Sequence, residues 1–323
     1  VREKILNALY VHRGDYVPGT ELATRLKVSK VAIWKHIQAL RAGGYSIESR
    51  PARGYRLIAI PDLLLPYEVR RRLRTKFVGR KILHYWKVNS TQKVAKELAM
   101  KGAGEGTLVV AETQSAGKGR RNRSWFSPKD GIYLSVIMRP EMSPSRASLM
   151  ALLAGVAAAK TIRGLYGLKA ELKWPNDIQI GDKKVGGVLI ELAAEAELIN
   201  WLIIGIGLNA NIKKASLPRE FRATTTSLEE ECGRKISRVN FVRNFLEKIE
   251  QLYLIFKMKG EAPILEEWKS MTNTLGAWVR VGDGEAIEGK AVDVDRDGAL
   301  IVKLADGTTK RIVVGDVSLR RKR

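Results

Sequence analysis

The stretch from Thr107 to Ile137 constrains the fold more than any other. A strand-like run, Thr107-Leu-Val-Val-Ala111, leads into the loop Gln114-Ser-Ala-Gly-Lys-Gly-Arg-Arg-Asn-Arg-Ser-Trp-Phe-Ser-Pro128. A second strand-like run, Ile132-Tyr-Leu-Ser-Val-Ile137, follows. The chain must therefore carry a glycine- and arginine-rich loop between two strands. Gly117 and Gly119 let backbone N–H groups approach an anion closely. Arg120, Arg121 and Arg123 supply forks of donors for carboxylate or phosphate. Trp125 supplies a flat face for a ring. Two readings stand: a clamp on an anionic ligand that bears an aromatic base, or a solvated basic loop touching nucleic acid nonspecifically.

The 323 residues suffice for two or three domains, and 45% hydrophobic content provides a real core. The net charge of +23 favours a polyanionic partner without specifying a fold. The lone Cys232 excludes an internal disulfide framework, and His12, His36 and His84 fall in no metal-ligand spacing. No apolar run reaches the roughly 18 residues of a membrane span. The start, Val1-Arg-Glu-Lys-Ile, lacks a signal-peptide core. A cytoplasmic protein with no membrane partner is expected.

The first sixty residues read as three helices and a hairpin. In the third helix, from Ser29 to about Ala42, Ile33, Ile37 and Leu40 recur at helical spacing and should face a core. Ser29 caps it. Lys30, Lys35 and His36 take the opposite face, with Ser29 and Ala32 near its start. Two short strands follow, joined by Arg50-Pro-Ala-Arg-Gly54. This order describes a winged helix-turn-helix, with the third helix in a major groove and Arg50 and Arg53 beside the backbone. Residues 1–60 carry 11 Lys+Arg against 4 Asp+Glu, which suits phosphate contacts. A module for protein contact or dimerisation remains the alternative. Residues 61–66, between two prolines, form the linker.

From about residue 67, strands alternate with helices. Ser90 or Thr91 caps a helix beginning near Gln92, whose N–H groups point beyond a strand end. An alanine-rich helix spans Ser148 to Leu165. Lys173 stands just before Pro175, which interrupts a strand, and Asn176-Asp177 offers oxygen groups near a possible magnesium ion. Lys183–Leu192 and Trp201–Asn209 are strands that pair as a hairpin, so the sheet is mixed. Gly205 and Gly207 share one side of the second, where side chains would block a ligand or a crossing element. Residues 211–228 read either as a lid or as a surface loop. No P-loop and no Ser/His/Asp or Cys/His set is visible. The last fifty residues alternate short strands with turns at Gly282-Asp-Gly, Asp297-Gly and Asp306-Gly, as in an SH3-like barrel, and end in the basic run Leu319-Arg-Arg-Lys-Arg323.

Four motifs, in order, carry a family resemblance. Gly117-Lys-Gly-Arg-Arg-Asn-Arg-Ser-Trp125 resembles the Gly-Arg-Gly-Arg-Arg-Gly-Arg-x-Trp signature of biotin protein ligases. Lys173-Trp-Pro-Asn-Asp177, Lys184-Val-Gly-Gly-Val-Leu-Ile-Glu191 and Gly205-Ile-Gly-Leu-Asn209 are also similar to that family. The winged helix resembles that of the bifunctional members, which attach biotin and repress biotin operons.

The resemblance implies an α+β chain. Its parts are a winged helix-turn-helix (1–60), a mixed-sheet catalytic domain like class II aminoacyl-tRNA synthetases (67–273) and an SH3-like β-barrel (274–323). It implies that biotin and MgATP give biotinyl-5′-AMP, which acylates a lysine of the biotin carboxyl carrier protein of acetyl-CoA carboxylase. A homodimer on a two-fold operator is expected when the adenylate is bound.

By motif match, Ser90, Thr91, Gln92 and Gln114 hold the biotin rings, and Lys118, Gly119 and Arg120 close over its carboxylate side. Lys173 bridges carboxylate and phosphate, with Arg120 and Lys173 as the catalytic pair. Arg121, Arg123, Trp125, Asn176 and Asn209 lie on the nucleotide side. Lys118 and Asn122 depart from the signature's Arg and Gly; Asn tolerates positive φ. Asn89-Ser-Thr-Gln-Lys93 replaces the usual Asp-Ser-Thr-Asn-Gln. Lipoate–protein ligases share fold and chemistry, but the Arg loop and the winged helix favour biotin. A sensor without catalysis is the other alternative, against which the intact Lys173 and Arg loop speak.

Overall fold

Ile33 and Ile37 are fully buried and Leu40 nearly so, which is why the third helix forms where the periodicity places it. The computed structural model describes residues 1–282, 286–313 and 315–320, so the turn at Gly282-Asp-Gly and the end of the basic terminus lie outside the described residues. The chain divides into two compact units, Val1–Leu63 and Leu64–Arg323. In the first, α1 (Arg2–Val11), α2 (Gly19–Leu26) and α3 (Lys30–Ala42) precede the antiparallel pair β1 (Ser46–Arg50) and β2 (Gly54–Ala59). The Ser29 hydroxyl accepts from the Ala32 N–H at 3.1 Å and caps α3.

The solvent face of α3 carries Lys30, Val31, Trp34 and Lys35, while Ala32 and His36 are half-buried. Trp34 did not stand out in the sequence, yet it is 53% exposed. In the wing, Arg50, Arg53 and Arg56 gather around Tyr16, their guanidinium carbons 5.4, 4.9 and 4.7 Å from its ring centroid.

The second unit begins with α4 (Pro66–Arg70), β3 (Ile82–Tyr85), α5 (Thr91–Met100), β4 (Leu108–Ala111) and β5 (Ile132–Met138). It continues through α6 (Ser148–Tyr166), β6 (Ala170–Lys173), β7 (Asp177–Ile180), β8 (Lys183–Glu195) and β9 (Leu198–Leu208). Three helices follow: α7 (Leu228–Cys232), α8 (Arg238–Lys259) and α9 (Ala262–Lys269). The strands β3 to β9 form one sheet in the order β3-β4-β5-β9-β8-β7-β6. Only β3 and β4 run parallel, so the sheet is mixed. The chain ends in β10 (Trp278–Val281), β11 (Ile287–Val294), β12 (Leu300–Lys303), β13 (Thr309–Ile312) and β14 (Val317–Arg320). These make a five-stranded antiparallel sheet in the order β13-β12-β11-β10-β14.

Strand alternation splits the core between the two faces of the large sheet. Leu108, Val110, Val136 and Ile204 pack with α6, α8, α9 and the small β-sheet. Val109, Ile137 and Ile203 pack on α5. The alanine-rich helix expected from Ser148 packs in the core. Pro144–Tyr166 is long and apolar enough to cross a membrane, although interspersed polar residues break any single run. It is the central core helix: in α6, Leu149, Leu153, Val156 and Ile162 are fully buried. The turn between β11 and β12 is tied to α6 and to the turn after β6 by polar bonds. Trp174 Nε1 donates to the Gly298 carbonyl at 3.0 Å, and Ser148 Oγ to the Asp297 carbonyl at 2.6 Å.

One buried ionic cluster fixes both ends of the Arg loop. Glu112, 3% exposed, accepts from the Leu64 N–H at 2.8 Å, and its carboxylate lies 3.1 Å from His84 Nε2 and 2.9 Å from Arg238 Nη1. The same Arg238 nitrogen donates to the Gly131 carbonyl at 3.0 Å, just before β5. Burial works to raise the Glu112 pKa, but the His84 hydrogen bond and the Arg238 charge outweigh it and hold the carboxyl below its ordinary value. Glu112→Ala removes a carboxylate from beside the buried Arg238 guanidinium. We expect a loss of about 3–5 kcal/mol from the larger unit, measured by urea denaturation. Because the folded pKa is depressed, the Glu112 contribution should be full above the ordinary carboxylate pKa. It should fade as pH falls through the depressed value.

Candidate active site

Gly205 and Gly207 lie on the same face of β9 as Ile203, which packs beneath α5. Beyond α5 the sheet therefore has a floor without side chains, and a cavity of about 640 Å³ opens there. A Cβ at Gly207 would stand 2.6 Å from the Trp125 indole, and one at Gly205 would collide with the Gln92 amide oxygen. The glycines are thus needed for close approach.

Three segments wall the cavity. At the start of α5, Ser90 occupies the N-cap position but its hydroxyl makes no cap bond. The expected cap comes from across the strands: Gln114 Oε1 accepts from the Thr91 N–H at 2.8 Å and lies 3.2 Å from the Thr91 hydroxyl. The Gln114 amide N–H donates to Ser127 Oγ at 2.9 Å. One side chain thereby joins the helix N-terminus to both limbs of the loop. Ser135, the polar residue within β5, donates to Gln92 Oε1 and lies within hydrogen-bond reach of Thr91 Oγ1, both at 3.0 Å. Gln92 in turn donates to the Ile203 carbonyl at 3.3 Å, so its amide is engaged with the floor.

The second wall is the loop itself. Lys118 and Ser124 bridge, and the Gly119 N–H donates to the Arg123 carbonyl at 2.7 Å. Arg121 and Asn122 turn it with φ of 53° and 57°. Asn at this position is the tolerant choice among residues with a Cβ. Arg120, Arg121 and Arg123 all face Asp316, at 3.3, 4.0 and 2.8 Å. Asp316 lies just before β14 and was not singled out by sequence. Burial pulls the Arg120 pKa down, and Asp316 opposes that.

The third wall is the turn between β6 and β7, whose Trp174–Pro175 bond is cis. Lys173, Asn176 and Asp177 line the cavity here. Asp177 pairs with Lys184 at 2.5 Å, and the Lys184 ammonium sits 5.3 Å from the Trp125 ring centroid. Asn176 Nδ2 donates to the Val188 carbonyl at 2.6 Å, and Asn209 Nδ2 to the Thr226 carbonyl at 3.0 Å. From the segment after β9, Leu217, Phe221 and Thr225 close one side of the cavity. Every residue expected in the catalytic domain lines this space except Arg121, which flanks it through Asp316. Ser135, Lys184 and Asp316 join them; Ser135 could have been noticed as a hydroxyl inside an otherwise apolar strand.

The comparisons with known proteins agree with this arrangement. Residues 86–209 match the Biotin/lipoate A/B protein ligase family, residues 1–56 an HTH domain and residues 274–320 the Biotin protein ligase C terminal domain. The bifunctional ligase/repressor BirA of Bacillus spizizenii is 36% identical over 99% of this chain and 98% of its own length. This chain belongs to the bifunctional biotin protein ligase family. The Escherichia coli bifunctional ligase/repressor BirA is 31% identical over 95% of this chain and 94% of its own. A biotin protein ligase from Aquifex aeolicus, solved in complex with biotin and ATP, superposes with a TM-score of 0.65 at 29% identity. That match covers 75% of this chain and 100% of that one.

In this biotin ligase family member, the surroundings of Lys173 disfavour its charged form. Burial lowers its pKa; Asp177 and Asp316 oppose the shift and Lys184 adds to it. The free amine should therefore form below the ordinary lysine range. Competitive acetylation of Lys173 against pH should show a midpoint below that range, and Asp177→Asn should move it lower still.

Proposed function

We propose that this chain is an ATP-dependent biotin–protein ligase. It forms biotinyl-5′-AMP, transfers biotin to a lysine of the biotin carboxyl carrier protein of acetyl-CoA carboxylase, and represses biotin genes through its winged helix. The observation that carries this reading is one cavity that joins a glycine floor, a cationic loop, Trp125 and Lys173.

In the first step a biotin carboxylate oxygen attacks the α-phosphorus of ATP. The mixed anhydride forms and pyrophosphate leaves. Two anions must meet, and Lys173 reduces their repulsion by bridging carboxylate and phosphate. Ser90, Thr91 and Gln114 take the ring system of biotin, with Gln92 holding the floor beneath. Lys118, Gly119 and Arg120 close over its carboxylate end. Arg121 and Arg123 meet phosphate oxygens, while Trp125, Asn176 and Asn209 form the adenosine side. Loop closure keeps water from the anhydride. In the second step the neutral carrier lysine amine attacks the acyl carbon, the acyl–phosphate bond breaks, AMP leaves with the bonding electrons, and the amine gives up one proton to solvent.

The cavity carboxylates are Asp177, paired with Lys184, and Asp316, paired with the loop arginines. Among the described residues no group of three or more His, Cys, Asp or Glu could hold a metal. The residues do not form a cage of their own for magnesium. The ion belongs with the nucleotide phosphates.

In the first unit, the Ser29-capped α3 with Lys30, Ala32, Lys35 and His36 reads operator DNA, and Arg50 and Arg53 of the wing meet the backbone. A homodimer in the adenylate-bound state matches a two-fold operator. Access to ATP, carrier protein and DNA together requires the cytoplasm.

Purified protein with biotin and MgATP should release pyrophosphate and label a carrier domain. No pyrophosphate would sink the ligase reading. Lys173→Ala should slow adenylation by about 10²–10³-fold with the fold intact. Arg120→Gly should let the adenylate leak; tighter retention would refute that role. Biotin, and not lipoate, should raise the melting temperature. Deletion of residues 1–60 should abolish operator binding, and retained sequence-specific binding would remove the winged helix from repression.

A further inference from the structure

The cationic loop is not without an anion, because a carboxylate already sits against its arginines. Asp316 Oδ2 lies 2.8 Å from Arg123 Nη2 and 4.0 Å from Arg121 Nη1, while Oδ1 lies 3.3 Å from Arg120 Nη1. The same Arg120 nitrogen donates to the Gly315 carbonyl at 3.1 Å. Two acceptors on consecutive residues just before β14 thus hold the loop. Asp316 and its neighbours Val317 and Ser318 line the same cavity as Lys173 and Trp125. Neither Gly315 nor Asp316 belongs to a motif that marks the catalytic chemistry.

We propose that Asp316 is an internal counter-ion that occupies the seat of a phosphate group in the ligand-free protein, and that nucleotide binding exchanges phosphate oxygens for it. The inference rests on the reading of the cavity as a nucleotide site. Three guanidinium groups gathered at a partly desolvated loop repel one another, and without an anion the loop would splay. One carboxylate neutralises one of the three charges and leaves a net attraction for a polyphosphate. The entering phosphate must then compete with Asp316 and lie beside its negative charge. Asp316 therefore keeps the loop folded before substrate arrives, at a cost in phosphate affinity. Because it stands just before β14, which pairs with β10, the exchange also couples phosphate occupancy to the C-terminal sheet.

Inorganic pyrophosphate is the probe, titrated calorimetrically into the full chain at low and at moderate salt. Asp316→Asn keeps the side-chain shape and removes the charge. It should bind pyrophosphate about tenfold more tightly at low salt, with the gap narrowing as salt is added. Asp316→Glu should stay close to the parent, and Asp316→Ser should follow the Asn variant. Equal or weaker binding by the Asn and Ser variants, in a parent that binds pyrophosphate, overturns the Asp316 inference and leaves the ligase reading standing. If the parent itself binds neither pyrophosphate nor ATP, the nucleotide reading fails and this inference fails with it. A gap that does not change with salt would mean a structural effect and would also overturn the inference.

Discussion

Two side chains are missing from the face of β9, and the site exists because of that. On the same face, Ile203 is covered by α5, and the sheet would be closed further along if residues 205 and 207 carried a Cβ. With hydrogen atoms there, the Gln92 amide and the Trp125 indole come down onto the strand, and a cavity remains between α5, the Arg loop and the β6–β7 turn. The opposite face of the same strands packs with α6 and supplies the rigid support. A site built on such a floor holds its geometry better than one hung from loops alone.

Around that floor, polar bonds are spent on position. Gln114 caps α5 in place of Ser90, so the helix N-terminus and the loop move as one piece. Glu112 and Arg238 hold the two ends of the loop from inside the core. Between those anchors the middle of the loop is held by Asp316, from the segment that leads into β14. The small sheet shares its hydrophobic core with the catalytic sheet, and through Trp174 it also backs the turn that presents Lys173.

Much of this was legible in the sequence. The helix periodicity of Ile33, Ile37 and Leu40, the pairing of β8 with β9 and the glycine side of β9 follow from patterns of period 3.6 or 2 that any single segment displays. Asn122 at positive φ follows from the steric tolerance of its short amide side chain. Trp34 escaped notice because exposure of an aromatic on a helix depends on what covers that helix, and a sequence does not show what is left uncovered. The packing of α6 was legible from its alanine-rich composition, even though scattered polar residues interrupt the apolar run.

The sequence by itself determined the local elements, the family and most of the residues that gather at the cavity, because backbone preference, hydrophobic period and motif spacing are properties of neighbours along the chain. Only the tertiary structure decided which of those residues hold one another. Gln114 as the cap of α5, Ser135 under Thr91 and Gln92, Glu112 between His84 and Arg238, and Asp316 among three arginines are all contacts between distant segments. Their partners are fixed by the packing of the sheet, and electrostatic attraction acts over a few ångströms of space whatever the separation in sequence.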